Sequence, residues 1–133
     1  MMGFFLRITT PSLFKTLERH DGVRLIFMYK LCFYVPESDL ERVKNALFAK
    51  GAGHYKAYDQ CCWQVRGEGQ FRPLLNSQPY IGHLDQLEKV VEYKVEMICT
   101  DTSIKEVVQT LLGVHPYEEP AYEVYKFFLV EDL

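Results

Sequence analysis

The sequence predicts an α+β, ferredoxin-like sandwich ordered β-α-β-β-α-β, with an extra hairpin excursion between the middle strands. A repeated plan points to it. Each half of the chain carries an alternating apolar strand, an S-x-x-E helix start, an amphipathic helix, a glycine and a further strand. The composition agrees with a single domain: 133 residues, 48% of them hydrophobic, are enough to bury a real core. Aromatics reach 14%, rich enough to bury the second sheet face against another copy of the chain.

Residues 1–27 stand apart. Met1 to Leu17 is basic and lacks acidic residues, and its longest apolar run is too short for a membrane span or a signal-peptide core. Pro11 interrupts any amphipathic targeting helix there. Met28 immediately precedes the first well-patterned strand. The fold unit is therefore expected to span 28–133, with 1–27 an extension or an over-long gene start.

Tyr29 to Val35 alternates Leu31, Phe33 and Val35 against Cys32 and Tyr34 and reads as the first strand, ended by Pro36. Ser38-Asp-Leu-Glu41 is a capping box, in which the Ser38 hydroxyl and the Glu41 carboxylate each satisfy a free backbone N–H. Leu40, Val43, Ala46 and Leu47 give the helix that follows one apolar face, and Gly51 fits a left-handed stop. Tyr55 to Arg66 is strand-like, Gly67-Glu-Gly69 reads as a turn, and Gln70 to Gly82 forms the excursion. Val90 to Cys99 is the cleanest strand. The second capping box, Ser103 to Glu106, opens a helix with Ile104, Val107, Val108, Leu111 and Leu112 on its apolar face and Gly113 as its stop. Ala121 to Val130 is the last strand. Both helices would then cover one face of a four-stranded antiparallel sheet, and Tyr34, Tyr58 and Trp63 would supply an apolar patch on the other.

Chemistry concentrates in His115 to Tyr122, HPYEEPAY. Pro116 pushes His115 out of the α region and two prolines stiffen the segment, so His115, Glu118 and Glu119 should point in fixed directions. Two roles compete for it: a ligand site, or an architectural joint that launches the last strand. The residues that would hold a divalent metal ion are His115, Glu118 and Glu119, with Cys61 or Cys62 as sulfur donors. The four cysteines contain no C-x-x-C pair, which excludes zinc-ribbon and thioredoxin chemistry, and Cys32 and Cys99 read as buried thiols of a reduced, cytoplasmic protein. No local nucleophile signature accompanies His115, and adjacent Glu118 and Glu119 diverge in extended chain, so no catalytic residue is assigned. The net charge of −3 and the lack of a basic block argue against nucleic acid, and no segment is long enough for a membrane.

The segments YKLCFYVPE (29–37), DQCCWQ (59–64), GEGQFRP (67–73), SQPYIG (77–82), EYKVE (92–96) and HPYEEPAY (115–122) resemble the domain inserted in many Nif-three-like proteins of the YqfO type, here standing alone. The resemblance covers about residues 28 to 128. That inserted domain is similar in fold to the CutA and PII proteins, which are ferredoxin-like trimers, and CutA carries a related histidine–proline–tyrosine–glutamate turn together with a role in divalent cation tolerance. The resemblance implies a homotrimer that serves as a small binding or regulatory module, with a protein partner for the missing flanking parts. Two further readings stand beside it: a CutA-like protein binding copper or zinc, which the resemblance implies, and a cryptic metal-dependent hydrolase with His115 as base. The di-metal site and the GTP cyclohydrolase names of the longer proteins belong to their flanking parts and are not expected here.

Overall fold

The computed structural model describes residues 4–7, 16–20 and 22–131. In chain order they form β1 (Phe4–Arg7), β2 (Thr16–His20), β3 (Val23–Pro36), α1 (Leu40–Phe48), β4 (Trp63–Phe71), β5 (Glu88–Cys99), α2 (Ile104–Val114) and β6 (Tyr122–Glu131). Strands β6, β3, β5 and β4 lie side by side in that order, every neighbouring pair antiparallel. This is the ferredoxin-like sheet that the repeated plan predicts.

Strand β3 is 14 residues long and holds the sheet together. One edge pairs with β6 from Arg24↔Glu131 to Phe33↔Tyr122. The other pairs with β5 from Tyr29 to Pro36 and, nearer its start, with β2 from Val23 to Ile26. Residues 23–27, which the sequence pattern left in the extension, are thus hydrogen-bonded ladder positions of the central strand. The sheet continues beyond them through the antiparallel β1–β2 pair.

Alternation sorts the side chains onto two faces. Leu31, Phe33 and Val35 from β3 and Val95, Met97 and Cys99 from β5 lie under the helices, all at most 1% exposed. They meet Leu40, Val43 and Leu47 of α1 and Val107 and Leu111 of α2 in one cluster. The apolar stripes read from the sequence are the buried faces, except that Leu112 stays exposed. Lys44 is buried between α1 and the sheet, donating to Glu41 Oε1 at 3.0 Å and to Gln64 Oε1 of β4 at 2.9 Å. A buried ammonium needs such partners to offset its lost hydration. The opposite face carries Cys32, Tyr34, Glu92, Lys94, Glu96, Trp63 and Val65, as the register requires. Tyr34 and Trp63 are therefore where the sequence placed them, whereas Tyr58 sits in the loop before β4.

Several local expectations fail. Tyr55 to Cys62 is a loop with a single Tyr55↔Tyr58 bridge, and the strand is Trp63–Phe71. Gly67-Glu-Gly69 is not a turn but the middle of β4, paired with Val90 to Glu92. The excursion, residues 72–87, contains no strand and is not a hairpin. Neither helix has a side-chain N-cap hydrogen bond. Ser38 is drawn to Asp39 Oδ2, and a short turn of tight helix at Glu37–Asp39 delays α1 to Leu40. Ser103 is held by Thr100. Gly113 lies inside α2, which ends at Val114, while Gly51 does take positive φ, at 98°.

Gly53 fastens the loop after α1. Its N–H donates to Ile98 O at 2.8 Å and its C=O accepts from Cys61 N–H at 2.9 Å, at a φ of 75°. A Cβ there would meet the Cys61 backbone oxygen at 2.5 Å. Gly53→Ala is therefore expected to cost about 2 kcal/mol or more in urea unfolding. A variant as stable as the parent would show that the loop shifts freely.

Candidate functional site

Pro116 sets the site up. The residue before a proline avoids helical backbone, so α2 stops at Val114 and His115 is extended, at φ −67° and ψ 136°. Its ring turns inward and is buried. Nε2 lies 2.7 Å from the backbone oxygen of Tyr34, and Nδ1 accepts the Tyr117 N–H at 3.0 Å. A carbonyl only accepts and an N–H only donates, so the proton sits on Nε2 and the imidazole is neutral. Burial lowers its pKa, opposed by the bond to Tyr34 and by Asp39. Beside it, Arg42 donates to Asp39 Oδ1 at 2.8 Å and to the Val114 carbonyl at 2.9 Å, closing the C-terminus of α2. The Arg42 hydrogen bond holds the Asp39 carboxyl below its usual range.

Tyr117 then projects over the sheet end on the face away from the helices. Its ring lies 6.2 Å from Phe71 and 6.3 Å from Tyr80 between centroids, and 5.0 Å from the His115 ring. Glu118 Oε2 accepts the Gln78 N–H at 2.9 Å, which binds the turn to the 72–87 excursion. Between the two segments and the sheet opens a cavity of about 450 Å³. Tyr34, Phe71, Tyr80 and Tyr117 give it aromatic walls, Pro73 and Pro79 stiffen its rim, and Glu92, Glu118 and Glu119 bring carboxylates.

Glu92 reaches this position because of Gly69 in β4. It pairs with Gly67, and its side chain lies over Gly69, where any Cβ would collide with the carboxylate. The Tyr117 hydroxyl is buried beside the Glu92 carboxylate. Burial first, and then the Glu92 charge, raise its pKa.

The five metal candidates do not meet. Glu118 and Glu119 are exposed at the cavity, and His115 lies behind it with both nitrogens committed. Cys61 is tied through Gly53 to Ile98, whereas His115 is tied to Tyr34, which pairs with Lys94; these two anchor points, Ile98 and Lys94, lie roughly 13 Å apart along β5. Cys62 is exposed next to Cys61. No group of three His, Cys, Asp or Glu side chains comes together among the described residues. All four cysteines are free, and burial pushes the Cys99 thiol up to about 12. Sequence reasoning missed Glu92, Phe71 and Tyr80 as cavity residues. The available signal was the glycine pair: two glycines inside a strand mark a close approach from a neighbour.

Comparison with known proteins places this geometry. The chain is 41% identical over 98 residues to a GTP cyclohydrolase 1 type 2 homolog of Halalkalibacterium halodurans, and 40% identical over 96 residues to the one of Bacillus subtilis. It matches a piece of them. The aligned part is 74% of this chain and 26% of the first relative, so the chain spans about a quarter of the length of these proteins. Among solved structures, a Bacillus cereus protein related to NIF3 superposes with a TM-score of 0.65 at 35% identity, again over 76% of this chain and 26% of that one. The divalent ion tolerance protein CutA1 of Ehrlichia chaffeensis superposes with a TM-score of 0.54 at 16% identity, covering 74% of this chain and 78% of its own. The fold is that of the CutA and PII proteins. No protein-family model matches the chain.

The His115 joint should make stability depend on pH. With the folded pKa below the unfolded value of about 6.5, the unfolded chain takes up the proton first. Stability is then full above about pH 6.5 and falls as pH drops from there through the lowered folded value. Chemical unfolding of the parent and His115→Leu across pH 5 to 8 should show this slope only in the parent, the variant being roughly 2–4 kcal/mol weaker at neutral pH because Tyr34 O and Tyr117 N–H lose their partner. An identical slope in both would remove His115 as its source.

Proposed function

We propose that this chain carries the domain inserted in Nif-three-like proteins and acts in the cytoplasm as a homotrimeric binding or regulatory module with no chemistry of its own. The observation that carries this reading is the division of labour at the HPYEEPAY turn. Its histidine, His115, spends both nitrogens on the backbone, while the turn's outer surface helps wall a cleft. A cleft without an activated nucleophile suits holding a ligand. The relatives' name refers to proteins about three times as long, and the activity that it states is not part of this proposal.

Assembly is supported by the uncovered sheet face. Trp63 is 62% exposed there and Tyr125 55%, with Val65 beside them, and Lys30, Lys94, Glu96 and Glu123 interspersed. Apolar groups alternating with both signs of charge make a face that fits a copy of itself in one register. Trp63 is the sole tryptophan, so its fluorescence reports the face directly. Light scattering at micromolar concentration should give a trimer with blue-shifted emission that moves red on dissociation. A strict monomer with solvent-exposed Trp63 would sink the assembly.

The likeness to a divalent ion tolerance protein raises a second reading, in which Glu118 and Glu119 ligate copper or zinc. Under the module reading, either metal should leave the melting temperature unchanged. A rise that Glu118→Gln and Glu119→Gln remove would favour the metal reading.

A further inference from the structure

We propose that the cavity between the HPYEEPAY turn and the 72–87 excursion binds a small organic cation, a primary or quaternary ammonium. The inference deepens the module reading by naming the ligand class, and it rests on that reading. Four aromatic side chains and three carboxylates line the cavity, and no lysine, arginine or histidine does. Among the described residues neither Glu92 nor Glu119 has an ion-pair partner. An anion would meet repulsion from all three carboxylates. A neutral apolar ligand would strip water from them with nothing in return. A metal ion needs converging donors, and the described residues offer no such group of three. An alkylammonium fits each feature: aromatic faces attract it through their quadrupoles, and the carboxylates neutralise it.

Two further observations favour a built site over a chance acidic surface. Glu92 lies over Gly69, whose missing side chain leaves it room, with its carboxylate beside the Tyr117 hydroxyl. The Tyr117 hydroxyl is buried against the Glu92 carboxylate, which gives that charge a fixed neighbour at the cavity wall. Glu118 spends one oxygen on the Gln78 N–H and keeps the other. The volume of about 450 Å³ lies in the range of small-molecule sites, which selects a free amine over a protein side chain as the occupant.

The test is calorimetric titration of the full chain with choline and with butylammonium. Controls are the uncharged carbon analogue of choline, in which a tert-butyl group replaces trimethylammonium, zinc chloride, and a lysine-containing peptide. Choline or butylammonium should bind saturably, and the uncharged analogue about tenfold more weakly or worse. Tyr80 is 57% exposed and Glu119 is exposed, so Tyr80→Ala and Glu119→Gln should keep the parent melting temperature while each weakens amine binding severalfold. Equal binding of the uncharged analogue overturns the proposal. So do the absence of saturable amine binding, zinc binding lost in the same variants, and binding of the peptide alone. A trimer that binds no amine sinks the ligand class without touching the assembly, and a monomer that binds choline does the reverse.

Discussion

The His115 imidazole, fixed between the Tyr34 carbonyl and the Tyr117 amide, is the contact on which the far end of this structure depends. It joins residues 81 positions apart, and it does so at the point where α2 hands over to β6. Without it, two buried backbone groups would lack partners, and Tyr117 would lose the amide bond that orients it over the sheet end. The neutral imidazole suits this work because one ring nitrogen donates and the other accepts. The same commitment removes His115 from the pool of bases and ligands. What looks in the sequence like the reactive centre of the turn is its fastening.

A second constraint follows from the close approach of β4 and β5. Interior glycines weaken a strand by lowering side-chain packing and raising backbone entropy. Here Gly69 lets the Glu92 side chain lie across β4 toward Tyr117. A carboxylate in that position lies on the face away from the helices, beside the buried Tyr117 hydroxyl. Local stability is given up at the one place where the cavity needs a directed negative charge. That pattern, a local rule broken beside a cleft, is what a binding site leaves in a chain.

Much of the fold is legible from residue types alone. The buried stripes of α1 and α2, the alternation of Tyr29–Val35 and Val90–Cys99, and the stop at Gly51 all follow from periods of 3.6 and 2 and from glycine's access to positive φ. Strand boundaries were less legible. Tyr55 to Cys62 has the aromatic composition of a strand, yet Gly53 pulls it into a loop by bonding to both Ile98 and Cys61. The capping boxes misled in a similar way, because Ser38 and Ser103 had neighbours, Asp39 and Thr100, that competed for their hydroxyls.

The sequence by itself determined the order of elements, the faces that the helices bury, and the stiffness of the turn at Pro116. These depend on groups within a helical turn or a strand pair-step of one another. Only the tertiary structure decided what the turn does. The commitment of both His115 nitrogens, the bond from Gln78 to Glu118 across 40 residues, and the placing of Glu92 over Gly69 each arise between segments distant in the chain. Periodicity records which side of an element faces inward. It carries no record of which backbone carbonyl or which neighbouring glycine waits there, and those partners are what separate a ligand from a joint.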